Sequence, residues 1–307
     1  MKKAIGLAWL ICTAVGLISF TAVVGAPDKG PGSVRVGKGE RTAFLSEADA
    51  SRQMAQEGLT VQELMLKLLP AARDAARPVV SRYRVGAVCR GLSGGLYYGA
   101  NIELQGLPLS FTVHAEQAAV INAYHHGETG ISHLAVTAAP CGRCRQFLNE
   151  LSTAGTLHVI LPGKPSRLLK EYLPDAFGPG DLGIEGGFMY DRDHGLHVDP
   201  SDPLAAAACR AASRSYAPYT ASYSGVAIQA GHQVFAGAYV ENAAYNPSLS
   251  PFQAALTLLV MSGAPYAAVT DVVLVETRNP VISQISAVKI MLSAIAPAAS
   301  LRVAKGH

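Results

Sequence analysis

His114-Ala115-Glu116, followed by Pro140-Cys141-Gly142-Arg143-Cys144, decides how this chain is read. One neutral imidazole and two thiolates are ligands that Zn²⁺ prefers, and three protein ligands leave the fourth tetrahedral position to a water. An ion held that way is catalytic, and Glu116 is then placed to move protons rather than to bind metal. A bare C-x-x-C would also fit a redox pair or half of a structural zinc knuckle. The H-A-E upstream and the proline directly before Cys141 favour the catalytic reading.

Outward from the motif, residues 114–124 read as a helix with His114 and Glu116 in its first turn. Residues 134–137 follow as a strand, 141–151 as a helix opening at the metal, and 158–161 as a further strand. Two helix N-termini thus converge on the ion, each partly positive through its unpaired N–H groups. That field is expected to keep Cys141 and Cys144 deprotonated at neutral pH, and their i, i+3 spacing puts both sulfurs on one helix face. Arg143 and Arg145 add positive charge nearby unless they are simply solvated. Upstream, 84–90 and 96–103 alternate like two strands of a hairpin joined by Gly91-Leu92-Ser93-Gly94-Gly95. No helix start follows these glycines, so they read as a turn and not as a phosphate cradle. Residues 46–56 and 60–76 read as helices capped by Ser46 and Thr60, the second with a stripe at Leu64, Leu68 and Ala72 and a stop at Pro78. Strands alternating with helices make an α/β domain.

The second half repeats the first with its chemistry missing. Gly99-Ala100-Asn101-Ile102-Glu103 echoes Gly237-Ala238-Tyr239-Val240-Glu241, and Gln117-Ala118-Ala119 echoes Gln253-Ala254-Ala255 after a two-residue shortening. Ser250 then stands opposite His114, and Phe252 opposite Glu116. Aligning Pro140 with Pro280 puts Val281 and Gln284 where the cysteines stood. Residues 198–307 therefore read as a second copy of the fold without a metal site. The expected organisation is a leader or extension over 1–40, a catalytic domain over 41–185, a linker over 186–197 and the second copy over 198–307.

Composition agrees with a globular protein. A chain of 307 residues has room for about two domains. Half of it is hydrophobic and 15% is charged, which suits buried cores and argues against disorder. A formal net charge of +3 is too small to argue for nucleic acid or an acidic membrane as partner. Five cysteines, two of them assigned to metal, do not make a disulfide framework. Cys89, in the apolar run Tyr83-Arg84-Val85-Gly86-Ala87-Val88-Cys89, and Cys209, in an Ala-rich helix, read as small core residues.

The N-terminus has a different character. Lys2 and Lys3 precede an almost uninterrupted apolar run over 4–26, and a loop rich in Gly, Pro and basic residues follows over 27–39. A positive start, an apolar middle and the small residues Val24-Gly25-Ala26 form the pattern of a secretory signal or membrane anchor. The run is also long enough to span a bilayer. Pro27, directly after the candidate cleavage point, speaks against cleavage. The competing reading is an extension that the folded protein does not need. The metal chemistry favours it, with a cytoplasmic location, because an oxidising compartment would let Cys141 pair with Cys144 instead of holding zinc. Export or anchoring through 1–26 is the alternative.

The pattern H-x-E…P-C-x-x-C is an established signature of zinc-dependent base deaminases, so the assignment matches a known pattern. The chain resembles cytidine deaminase, in the long two-domain bacterial form that works as a homodimer. The likeness begins near Arg41 and runs to the C-terminus. It is dense around Thr112-Val113-His114-Ala115-Glu116-Gln117 and Pro140-Cys141-Gly142-Arg143-Cys144-Arg145-Gln146-Phe147. It continues through Glu171-Tyr172-Leu173-Pro174-Asp175-Ala176-Phe177-Gly178-Pro179 and Glu241-Asn242-Ala243-Ala244-Tyr245-Asn246-Pro247. The resemblance implies a three-layer α/β/α fold with a mixed sheet, present twice. It implies one Zn²⁺ per subunit on His114, Cys141 and Cys144, with Glu116 as proton shuttle. Asn101 and Glu103 would hydrogen-bond the ribose, with Ile102 and Ala115 also at the substrate. Phe177 would close on the base, and Ala244 and Tyr245 would reach the partner subunit's site. The family usually has Phe where Tyr83 stands against the pyrimidine. A phenol keeps the stacking face and adds a hydroxyl that needs a partner.

The activity so implied is hydrolysis of cytidine and 2′-deoxycytidine to uridine and 2′-deoxyuridine with release of ammonia, in pyrimidine salvage. Zinc activates a water, and Glu116 carries one proton to N3 of the base and a second to the departing amino group. A deaminase of single-stranded nucleic acid would need a basic groove with aromatic platforms, and one of nucleotides a phosphate clamp; neither is evident in the sequence. A third reading is a zinc-stabilised binding protein without catalysis. Glu116 argues against it, since structural zinc needs no adjacent acid and usually has four protein ligands. His125, His126, His133 and His158 lack ligand spacing to the motif. Leu64, Leu68, Leu256 and Leu259 read as core stripes, and Tyr216 and Tyr219 as packing in a loop before the second sheet.

Overall fold

The computed structural model describes residues 43–190 and 193–307; the apolar run over 4–26 and the loop after it lie outside them. The described chain opens with β1 (Phe44–Leu45) and two helices. Ser46 caps α1 (Glu47–Glu57) by accepting the Asp49 N–H at 3.1 Å, and Gly58 ends it at φ 66°. A reciprocal cap opens α2 (Val61–Arg73): Thr60 accepts from the Glu63 N–H, and the Glu63 carboxylate accepts from the Thr60 N–H. Pro78 does not end α2. The helix stops at Arg73, where the chain turns so that Arg77 can bridge Ile102, while Pro70 sits inside it on an exposed position. Its buried residues are Leu64, Met65, Leu69 and Ala72, with Leu68 half-buried beside them.

The hairpin forms as expected from β2 (Gly86–Gly91) and β3 (Leu96–Ala100), in register from Gly86 opposite Ala100 to Arg90 opposite Leu96. Its second strand ends at Ala100 rather than at residue 103. Ile102 continues only as single bridges to Arg77 and Val113, which sets it beside the metal motif. Then come α3 (Ala115–His125), β4 (Ile131–Val136), α4 (Gly142–Leu148), β5 (His158–Ile160), β6 (Arg167–Leu168) and α5 (Leu169–Tyr172). Helix α4 is shorter than the expected 141–151, because Leu151 leaves it to bridge Phe188. So short a helix does not hold itself. Cys144, Phe147 and Leu148 are fully buried, and burying Phe147 alone contributes roughly 1.5–3 kcal/mol.

The first sheet has the order β1-β3-β2-β4-β5-β6, with β4 and β5 parallel and the other neighbours antiparallel. After it, α6 (Pro203–Ser213), β7 (Ser224–Ala230), β8 (Gln233–Ala238), α7 (Pro251–Ser262), β9 (Val269–Thr277), α8 (Ile285–Ile295) and β10 (Ser300–Gly306) build the second. Its order is β10-β9-β7-β8, with β9 and β10 parallel, which matches β5-β4-β2-β3. The repeat extends to single bridges: Val240 pairs with Tyr216 and Leu249 as Ile102 pairs with Arg77 and Val113.

Each sheet is sandwiched by helices. Helices α1 and α2 pack on Val88, Leu96, Tyr98 and Ala135, while α3 and α4 pack on Ala87, Cys89, Leu134 and Val136 of the opposite face. In the second copy α6 covers Ala227, Val273 and Val275, and α7 and α8 cover Val226, Ile228, Val272 and Leu274. Both halves are thus three-layer α/β/α, and α3 and α7 pack on each other within one shared core. The junction is cross-locked. Gln117 Oε1 accepts from the His114 N–H and its Nε2 donates to Pro247 O at 3.3 Å; Gln253 accepts from the Ser250 N–H and donates to Phe111 O at 3.1 Å. Each glutamine therefore ties down the approach to the other half's helix. No helix among the described residues is long and apolar enough to cross a membrane.

Candidate active site

His114 is the N-cap of α3, and Cys141 is the N-cap of α4, both with extended backbone. Cys144 lies one turn into α4 and is fully buried, whereas Cys141 is exposed. The three ligand atoms lie within 4.8 Å of one another, and Cys141 Sγ is 3.6 Å from His114 Nδ1. Tetrahedral zinc with Zn–N near 2.0 Å and Zn–S near 2.3 Å needs ligand atoms about 3.5–3.8 Å apart. The donor set fits Zn²⁺ in type and spacing. Among the described residues no other such group occurs.

The thiols share the work unevenly. A hydrogen bond from Cys144 draws the Cys141 thiol down to about 4 against the effect of burial, helped by the N–H groups of Cys144 and Arg143 and by His114. The Cys144 thiol is pushed up, first by its bond to Cys141 and then by burial and Glu116. Helix N-terminal N–H groups favour the Cys141 thiolate, while at Cys144 the bond to Cys141 and burial oppose ionisation. Glu116, the second residue of α3, is only 4% exposed and stands outside the ligand set. Burial pushes its carboxyl up, opposed by bonds from its own N–H and the Cys144 thiol.

The remaining sequence-assigned residues are held in distinct ways. Asn101 is 7% exposed; its Oδ1 accepts from the Val85 N–H and its Nδ2 donates to Tyr83 O, both at 2.9 Å. Glu103 accepts from the N–H groups of Val80 and Ser81 at 2.7 and 2.8 Å and from the Ser81 hydroxyl. Burial would raise its carboxyl, but these bonds outweigh it and hold it below the usual range. Ile102 and Ala115 are fully buried, and both backbone polar groups of Ile102 are bonded to Val113. Tyr83, Phe177 and Tyr245 are 62%, 46% and 67% exposed, and Ala244 is exposed beside Tyr245. Arg143 and Arg145 are not simply solvated: Arg143 donates to Ser110 O, and Arg145 to Pro140 O and Tyr172 O.

Other groups were not legible as functional. Tyr216 and Tyr219 do more than pack, since both phenols donate to Glu150, just past α4. Gln146 donates to Phe177 O and Asn242 Nδ2 donates to Gln146 O, which joins α4 to two of the assigned segments. His133 and His158 stack on each other, His126 lies on Phe44, and none joins the metal group. In the second copy Ser250 is the N-cap of α7 and Phe252 is fully buried. Gln284 is the N-cap of α8, its N–H bonded to Glu276. Where the first copy offers ligands and an acid, the second offers a cap and core.

Residues 59–159 and 169–289 each match a family model described as the cytidine and deoxycytidylate deaminase zinc-binding region. A cytidine deaminase of Photobacterium profundum is 44% identical over 83% of this chain and 87% of its own length. One of Yersinia pestis is 46% identical over 80% of this chain and 84% of its own. Among solved structures, the cytidine deaminase of Burkholderia pseudomallei is 29% identical, covering 37% of this chain and 97% of that one, with a TM-score of 0.34. With a zinc-type donor set, an adjacent buried acid and a second copy stripped of both, the chain belongs to the cytidine deaminases, in their long bacterial form with two deaminase domains.

Proposed function

We propose that this protein hydrolyses cytidine and 2′-deoxycytidine to uridine and 2′-deoxyuridine with release of ammonia, in pyrimidine salvage. The observation that carries this reading is the buried carboxylate of Glu116 beside, and not within, the group His114, Cys141 and Cys144. These three side chains would hold one Zn²⁺ per subunit. When bound, the ion would lower the pKa of a water at its fourth position toward neutrality. Glu116 takes a proton from the attacking water and delivers it to N3 of the base, which makes C4 electrophilic. The water oxygen bonds to C4, and the C4–N bond breaks as Glu116 passes the second proton of that water to the amino group, which departs as ammonia. Burial pushes the Glu116 carboxyl up, the direction that suits a group which both takes and gives a proton.

Nucleoside positioning falls to the surrounding residues. Asn101 and Glu103 face the ribose, and Tyr83 and Phe177 flank the base, with Ile102 and Ala115 closing the floor. Ala244 and Tyr245 extend into the site of a second copy in a homodimer. Exposure of the large aromatic side chains Tyr83, Phe177 and Tyr245 supports such a partner. The domain division at 41–185 and 198–307 is part of the same reading. A reducing, cytoplasmic setting suits it as well, because the Cys141–Cys144 pair has to stay open for zinc.

The direct test follows the ultraviolet absorbance of cytidine with full-length, zinc-loaded protein, with Glu116→Gln as the blank. Loss of the cytidine spectrum in the wild type alone is the expected result. Turnover of cytidine monophosphate or an oligonucleotide, with none of cytidine, would overturn the reading. Cys144→Ser should weaken zinc binding at least about 100-fold, measured by competition with a chromophoric chelator, since it removes the buried thiolate. Asn101→Ala should lower kcat/KM for cytidine at least about tenfold. It removes the amide itself and frees the segment that carries Tyr83. Unchanged kcat/KM would take Asn101 out of the site.

A further inference from the structure

Just past α4, whose first turn carries the two cysteines, the fully buried Glu150 directs its carboxylate to groups of the second half. Its Oε1 accepts from Tyr216 OH at 2.8 Å and from Tyr219 OH at 2.5 Å, and its Oε2 accepts from the Ala243 N–H at 2.8 Å. Burial beside the carboxylate pushes both phenols up, so both remain donors. A buried carboxylate is costly unless every lone pair it presents is met, and an apolar contact would join the halves as firmly without specifying where.

What these bonds specify is one loop. Ala243 precedes Ala244 and Tyr245, and the Tyr219 ring meets the Tyr245 ring edge to face at 6.4 Å. Tyr245 sits at φ 59°, a conformation that needs support in a residue with a side chain. The Tyr245 N–H donates to Asn242 O, the Ser248 N–H to Tyr245 O, and Asn242 itself is bonded to Gln146 of α4. The halves are also held elsewhere, by Gln117 on Pro247 and Gln253 on Phe111. Loss of Glu150's charge therefore frees the loop without parting the halves.

We propose that Glu150 is a positioning residue: its buried carboxylate, through the Ala243 N–H and Tyr219, sets the loop that presents Ala244 and Tyr245 to the nucleoside. This rests on the reading that those two residues contact substrate. It acts on binding and not on the proton transfers, because Glu150 touches neither the metal ligands nor Glu116.

The test uses full-length protein and two variants, Glu150→Gln and Tyr219→Phe. Glu150→Gln keeps the volume but cannot accept from all three donors. It should raise KM for cytidine about tenfold, with kcat within about twofold of wild type and zinc content unchanged. Amides of peptide 241–249 should exchange at least about tenfold faster. Tyr219→Phe keeps the ring against Tyr245 and should shift KM and exchange in the same direction by about threefold. A fall in kcat at constant KM, a loss of zinc matching the loss of activity, or unaltered loop exchange would each overturn the proposal. If Glu150→Gln does not fold, Tyr219→Phe with wild-type KM and exchange overturns it alone. A wild type inactive on cytidine strikes the functional reading, and loop exchange then still judges Glu150. An active wild type with insensitive variants strikes only the role of Glu150.

Discussion

Glu116→Gln is expected to keep its zinc and to lose cytidine turnover by about 10³-fold or more. The amide has nearly the volume of the carboxyl, so the buried position on α3 stays filled and no cavity opens. It is not a ligand, so His114, Cys141 and Cys144 keep their full donor set. What disappears is a group able to take a proton and give it up again at two stages of one reaction. The amide can do neither, and the loss should fall on kcat with KM changed little. Zinc by elemental analysis and single-turnover rates on the same sample separate the two effects. A variant within tenfold of the wild-type rate, at full zinc, would remove Glu116 from the proton path.

Features set by neighbours in sequence were legible in it. The caps at Ser46 and Thr60 act within three residues, and both helices start where they predict. The hairpin over the Gly91–Gly95 turn and the placement of His114 and Cys141 at helix starts are equally local. The broken repeat was legible because both copies keep the same glycine, glutamine and alanine spacing, and both sheets share one strand order. Helix ends were read less well. The end of α2 answers to a bridge between Arg77 and Ile102, and the end of α4 to one between Leu151 and Phe188, neither of which leaves a periodic trace. Glu150 is the extreme case. Its partners lie 66, 69 and 93 residues away, and a lone glutamate near a helix end carries no signal. Asn101 and Glu103 were named from the resemblance, but their bonds to the 80–85 segment show a second duty that no motif states. Glu241 repeats that duty in the copy without chemistry, accepting from the Tyr219 N–H and the Thr220 hydroxyl. Part of what Glu103 does is thus architecture that both halves need.

The echo of Gly99 in Gly237 leads to the other large effect. Gly99→Ala should lower stability by about 3 kcal/mol. A Cβ at Gly99 would lie 2.1 Å from Ala119 N and 2.3 Å from Ala115 O. These are backbone atoms of α3 and cannot rotate aside, so the helix has to lift from β3. Its first turn, with His114 and Glu116, would lift with it. Gly237→Ala makes the same collision, 2.1 Å from Ala255 N and 2.5 Å from Pro251 O, but beneath a helix that begins with Ser250 and Phe252. The two variants should therefore lose similar stability in urea melts and differ in function. At a urea concentration where both remain folded, Gly99→Ala should bind zinc at least about tenfold more weakly, while Gly237→Ala binds it like the wild type. Equal zinc affinity in the two would mean that α3 can shift on its sheet without carrying the ligands along. A wild-type melting midpoint for Gly99→Ala would mean that the close approach of α3 to β3 relaxes at little cost. If both expectations hold, the glycine that lets the helix approach the sheet also sets the distance between His114 and the cysteines, and the second copy keeps that approach for packing alone.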